Sequence, residues 1–128
     1  MRWGSLGGII SAVVALGALY LLNPRGALHW IGFDVWKLAG NFFSNFYEEF
    51  IYRGFLLVAL TALFGFWPAA VASSALFGFS HAQYPMPLQV LVSLLGFFWC
   101  WILRKAKTLW AQYTSHMVLD IVVDAVFT

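Results

Sequence analysis

The strongest constraint on this 128-residue chain is the length of its uncharged stretches, one from Trp3 to Asn23 and another from Phe55 to Gln89 and on to Leu103. About 20 apolar residues in a helix cover the ~30 Å hydrocarbon core of a bilayer. Backbone polar groups find no water in that medium, which leaves closed helices as the spanning elements. The composition agrees: 62% of the residues are apolar and 9% charged, too few charges to solvate a soluble domain. The expected fold is therefore all-α, a polytopic membrane bundle of about five transmembrane helices in one membrane-embedded domain, residues 1–128. Spans are expected near 4–22, 46–66, 68–82, 87–103 and 108–126. The stretch from 55 to 89 has to fold back on itself. Trp67-Pro68 is the expected place, because proline breaks the hydrogen-bond ladder and the indole prefers the interface. Between the first two spans, Asn23-Pro24, Gly26 and Gly32 interrupt the helix, and Asp34 offers a cap for an interfacial amphipathic helix.

This threading places Arg2, Arg104, Lys105 and Lys107 on one side, together with Trp3, Trp67, Trp99, Trp101 and Trp110. Arg25, Lys37, Trp30 and Trp36 fall on the other. The basic excess assigns the first side to the cytoplasm and the tryptophans to interfacial belts. The chain thus reads as a multi-pass integral protein whose first partner is the lipid bilayer, with the plasma membrane of a prokaryote as its expected location. A net charge of +2 from scattered basic residues excludes a nucleic-acid surface. The single cysteine, Cys100, forms no internal disulfide and reads as a small hydrophobe in an apolar run. The first apolar stretch is longer than a signal-peptide core and no clear A-x-A site follows it, so it reads as a retained span.

Against this background Glu48, Glu49, Arg53, His81, His116 and Asp120 stand out, all within or at the mouths of spans. Insertion scales charge about 2.5–3.5 kcal/mol for an Asp or Arg at mid-membrane. A central leucine returns only about 0.3–0.6 kcal/mol. Such groups are expected to face one another inside the bundle. Read alone, Asn45 followed three residues later by Glu48 is a capping-box-like helix start. Glu49 and Arg53, four apart with the acid first, suit a helical ion pair, and Glu48 projects about 100° away, free for chemistry. Phe77 and His81 lie one turn apart in FGFSH. Their plain readings are a packing aromatic and a hydrogen-bonded interfacial histidine. In the last span His116 and Asp120 share a face that Asp124 continues. Polar seams do glue membrane helices together, but Ser, Thr, Asn or Gln are the usual choice there.

Three motifs now stand in order: EEFIYRG at 48–54, FGFSH at 77–81 and HMVLD at 116–120. Their spacing resembles the CPBP family of membrane proteins, the type II CAAX prenyl endopeptidase and bacteriocin-processing, Abi-like group, whose signatures read E-E-x-x-x-R, F-x-x-x-H and H-x-x-x-N/D. The resemblance covers roughly residues 45 to 124 and implies an intramembrane endopeptidase acting on a membrane-associated or prenylated protein or peptide. It implies that Glu48 and His81 act on a water, that His116 with residue 120 stabilises the oxyanion, and that Glu49, Arg53 and Phe77 support them. This chain carries Asp120 where many relatives carry asparagine. A carboxylate donates nothing unless protonated, so Asp120 suits an orienter of His116 or a metal ligand instead. The resemblance leaves the cofactor open between none and one divalent metal such as zinc, held by Glu48, His81, His116 and Asp120. The chain is short for the family, so a second copy in a homo-oligomer is one source of missing substrate-guiding elements.

Two other classes compete. A non-catalytic membrane adaptor or immunity protein would use the same polar cluster for helix association. A haem held by His81 and His116, or a proton relay through Glu48 and Asp120, accounts for those residues but not for the Glu49–Arg53 spacing.

Overall fold

The computed structural model describes residues 2–22 and 30–126, and its secondary structure follows from where the helix can and cannot continue. The α-helices are α1 (Arg2–Leu22), α2 (Val35–Glu49), α3 (Leu57–Phe64), α4 (Phe66–Ser80), α5 (Met86–Ala106) and α6 (Leu109–Val126). A π-helical segment, Phe50–Leu56, joins α2 to α3 without a break, so the described residues form five helical rods and no strand. The expected breakers Asn23, Pro24 and Gly26, and the expected charge of Arg25, lie outside the described residues.

Asp34 caps a helix as expected, its carboxylate accepting from the backbone N–H of Trp36 at 2.8 Å and of Lys37 at 3.3 Å, but that helix is the start of the second rod itself and not a separate interfacial one. The helix then runs through residue 45, because no proline interrupts residues 35–64. The capping-box reading of Asn45 and Glu48 is thereby corrected. Asn45 is an interior helical residue whose side chain crosses to α6. The fold-back is also displaced from Trp67-Pro68. The chain turns at Gly65, whose φ of 81° and ψ of 167° suit a residue without a Cβ, and Pro68 sits in the first turn of α4, where its missing N–H is tolerated.

Small residues let the rods approach closely, which is how helices associate where apolar burial alone gives no driving force. Gly4, Gly7, Gly8, Ser11, Ala12 and Ala15 form the buried face of α1. This face runs parallel to α6, with a Cβ at Gly4 meeting Thr114 and one at Gly8 meeting Val118. Ser115 Oγ donates to the Gly4 carbonyl at 2.9 Å across that seam. In the α4–α5 hairpin, Gly78 packs directly against Ser93 and Gln89. The Cys100 thiol is fully buried there beside Ser74, consistent with its reading as a small hydrophobe.

Helices α1 and α5, 21 residues each, are long and apolar enough to cross a membrane, and α4 is a shorter apolar helix. One end of the bundle collects aromatic and basic groups: the Trp3 and Trp101 rings meet edge-on at 5.7 Å, and the Arg104 guanidinium lies 4.6 Å from the Phe66 ring and 5.2 Å from that of Trp67. Trp99 does not join this belt. It is 1% exposed in the core, its indole N–H donating to Ser11 Oγ at 3.0 Å, because α5 turns that face inward.

The α1–α6 seam gives a direct test. A Cβ at Gly8 would stand 2.5 Å from Val118 Cβ, whereas one at Gly17 meets nothing within 4 Å. Gly8→Val is expected to cost about 1–3 kcal/mol by overpacking. Thermal unfolding in detergent should show the loss, with Gly17→Val leaving the midpoint nearly unchanged.

Candidate active site

The site grows from the register between α2 and α6. These helices run antiparallel, and polar residues four apart on each meet as rungs. Asn41 Nδ2 donates to Asp124 Oδ2 at 2.9 Å, and Asn45 Nδ2 to Asp120 Oδ2 at 2.8 Å. His116 Nδ1 lies 3.0 Å from Glu49 Oε1. A carboxylate there accepts, so the histidine Nδ1 carries the hydrogen. Lys37 extends the ladder outward, 3.7 Å from Asp124. Each step is one helical turn, which brings successive rungs onto a single line.

Glu49 is 1% exposed, and Arg53, one turn on inside the π segment, is equally buried. Their charged ends are 3.5 Å apart. The guanidinium lies over the Phe77 ring at 4.1 Å and within 5.6 Å of the Trp99 ring centre, a stack that contributes about 0.5–2 kcal/mol. Gly96 makes the room: a Cβ there would stand 2.7 Å from Arg53 Nη2. Trp99 also covers one face of His116, ring centres 4.3 Å apart. Gln112, one turn before His116 on α6, is fully buried with neither amide atom hydrogen-bonded among the described residues. A π-helical turn at such a place is a recurrent mark of functional sites.

With Nδ1 anchored on Glu49, His116 presents Nε2 to two further carboxylates, Glu48 Oε2 at 3.9 Å and Asp120 Oδ2 at 3.8 Å. Both are partly exposed, with side chains 26% and 25% accessible, in contrast to Glu49. A cavity of about 400 Å³ opens beside them. His81, Tyr84, His116, Asp120, Asp124 and Asn41 line its polar end, and Leu88, Leu91, Val92 and Leu95 line its apolar limb. Glu48 approaches this end from α2 without being part of the wall, near enough for the His81 and His116 charges to act on it. His81 Nδ1 is 2.9 Å from the Phe77 carbonyl. A carbonyl only accepts, so Nδ1 again carries the hydrogen and Nε2 remains for chemistry. Tyr84, in the turn between α4 and α5, stacks on His81 with ring centres 5.7 Å apart and planes 13° from parallel. Partial burial, reinforced by the carboxylates of Asp120, Asp124 and Glu48, pushes its phenol above the ordinary tyrosine value.

Glu48, His116 and Asp120 thus come together as the sequence led one to expect, with His81 on the wall of the same cavity. Glu49 and Arg53 form the expected pair, and Phe77 lies beneath Arg53 while touching both histidine rings. Two expectations change. Glu49, not Asp120, orients His116, since the Asp120 distance is too long for a hydrogen bond and its Oδ2 is bound to Asn45. Among the described residues no group of three or more His, Cys, Asp and Glu side chains is arranged to hold a metal ion, so the divalent site expected at Glu48, His81, His116 and Asp120 does not fit this geometry. Asn41, Asn45, Gln112 and Tyr84 belong to the site but carry no motif. The i, i+4 spacing of Asn41, Asn45 and Glu49 was the available signal for the first two.

A family model described as type II CAAX prenyl endopeptidase Rce1-like matches residues 30–122 and so contains all three motifs. No curated protein and no solved structure gives a significant match.

The buried pair yields the test of this geometry. Arg53→Met leaves the Glu49 carboxylate without its cation and is expected to cost about 3–5 kcal/mol, whereas adding Glu49→Gln recovers a large part of that loss. Unfolding midpoints of the two variants in detergent check the order.

Proposed function

The chain belongs to the type II CAAX prenyl endopeptidase Rce1-like family, a family of integral membrane proteases, and from that premise we propose that it hydrolyses a peptide bond of a membrane-associated or prenylated protein or peptide at the polar end of its cavity. The observation that carries the reading is the placement of His116 Nε2, 3.9 Å from Glu48 and 3.8 Å from Asp120 at the cavity wall that also holds His81.

In this reading Glu48 accepts a proton from a water while His81 Nε2 orients it, and the water oxygen forms a bond to the scissile carbonyl carbon. The carbonyl π pair moves onto oxygen, where a doubly protonated His116, its Nδ1–H still on Glu49, hydrogen-bonds the new anion through Nε2–H. Collapse of the tetrahedral adduct breaks the C–N bond, and the departing amine takes the proton that Glu48 received. Glu49 acts through His116: by holding Nδ1–H it fixes the ring so that Nε2 faces the cavity. The residues present give no fit for a metal, so no step runs through one. The apolar limb, walled by Leu88, Leu91, Val92 and Leu95, suits the hydrocarbon of a lipidated or apolar substrate. We also read all five rods as crossing or entering the membrane, with the Arg104 and Lys105 end on the cytoplasmic side.

The ladder of Asn41–Asp124, Asn45–Asp120 and Glu49–His116 favours a second reading, a helix-association seam in a non-catalytic membrane adaptor or immunity protein. Glu48 separates the two, because it donates to no rung. With purified protein and a fluorogenic membrane peptide, Glu48→Gln is expected to lower turnover by roughly 10²–10⁴-fold, the usual contribution of a general base, with the unfolding midpoint unchanged. His81→Ala should fall in the same range, and turnover should survive chelation of divalent ions. Hydrolysis undiminished in Glu48→Gln would contradict the proposal.

A further inference from the structure

Amide hydrolysis builds negative charge on one oxygen, and a site that stabilises it well aims more than one donor at that point. His116 supplies one from Nε2 when its ring is doubly protonated, since Nδ1–H is held by Glu49. The remaining polar groups of the cavity are mostly spoken for. The Asn41 amide is bound to Asp124, and Asp120 is an acceptor already bound to Asn45. Asp124 is likewise a carboxylate with no hydrogen to give. His81 has its Nδ1–H on the Phe77 carbonyl, which leaves Nε2 an acceptor. The one neutral hydroxyl in this wall is that of Tyr84.

The backbone of Tyr84 is also anchored. Its backbone N–H donates to the His81 carbonyl at 2.9 Å, and Gln89 Nε2 donates to the Tyr84 carbonyl at 2.7 Å, closing the turn around Pro85. Its ring lies almost parallel to that of His81. The turn is thus fixed at its backbone, and the stack on His81 restrains a ring that is 42% exposed, so part of the cost of ordering the phenol is met before any ligand arrives.

We propose that Tyr84 is a second catalytic donor of this site: its phenol O–H hydrogen-bonds the carbonyl oxygen of the bound amide and follows it into the tetrahedral oxyanion, opposite the Nε2–H of His116. The proposal rests on the hydrolytic reading above and names a residue that none of the three motifs contains. Partial burial, with the carboxylates of Asp120, Asp124 and Glu48 nearby, supports it further, since both raise the phenol above the ordinary tyrosine value and so favour the protonated donor.

Tyr84→Phe removes the hydroxyl and keeps the ring on His81, so it tests the hydrogen bond apart from the stack. The expected result is a fall in kcat of about 10²-fold with KM nearly unchanged, the pattern of an interaction made in the transition state, and an unaltered unfolding midpoint. The second measurement needs no turnover. A peptide phosphinate presents a tetrahedral anion, and wild-type protein should bind it at least about tenfold more tightly than Tyr84→Phe, while the parent peptide binds both alike. Equal phosphinate affinity, no phosphinate binding by wild type, or a Tyr84→Phe defect confined to KM and thermal stability would each overturn the assignment. Failure of the hydrolytic reading shows separately, as turnover that survives Glu48→Gln.

Discussion

The Glu49 carboxylate is almost completely buried in a bundle whose outer faces are apolar, and an ion in that setting persists only with an opposite charge and a hydrogen-bond donor beside it. Arg53 meets the charge and His116 Nδ1–H meets a lone pair, each from a different element. Much of the rest follows from these two contacts. Arg53 must be housed, so Gly96 has no side chain and Phe77 and Trp99 offer their ring faces. His116 must be held with Nδ1 toward Glu49, which leaves Nε2 facing Glu48, Asp120 and the cavity. The fully buried carboxylate thereby sets which face of His116 meets the partly exposed one.

The same economy governs packing. Lipid-facing surfaces offer no preference for one apolar partner over another, so the order of the helices has to come from close fit and polar rungs. The glycine face of α1 selects the small-residue side of α6, and Ser115 seals it with a hydrogen bond to Gly4. The asparagines of α2 select the aspartates of α6 and fix the register between them. That register places Glu48 beside His116. Stability and site geometry are therefore linked: a slip of one turn would separate every rung at once.

Much of the architecture was readable from the amino-acid string, since long uncharged stretches and intramembrane charges have few physical solutions. Four of the five helical rods lie close to the expected spans, whereas the second starts at Val35 instead of near residue 46 and absorbs the helix expected at the interface; the ion pair of Glu49 and Arg53 was implied by spacing alone. What escaped depended on tertiary partners. Asn45 looked like a helix start because its spacing to Glu48 imitates a cap, yet Asp34 had already begun that helix and freed Asn45 to cross to Asp120. Trp99 looked interfacial because tryptophan usually is, and only the packing of α5 against α1 and α6 turns it inward. Tyr84 and Gln112 were invisible because no local pattern tells a tyrosine beside a proline, or a glutamine within a span, which cavity it will meet. The fold-back moved to Gly65 for a backbone reason, a positive φ, that competes with proline as a breaker.

The account depends most on His116 being clamped through Nδ1 so that Nε2 is turned to the cavity. Nitrogen-15 and proton NMR of the side chain, in protein labelled at histidine and held in detergent or lipid, reads that clamp directly. The account predicts a protected, strongly downfield Nδ1–H resonance that persists in Glu48→Gln and disappears in Glu49→Gln. A His116 ring with no protected Nδ1–H, or one indifferent to the loss of the Glu49 charge, would contradict it.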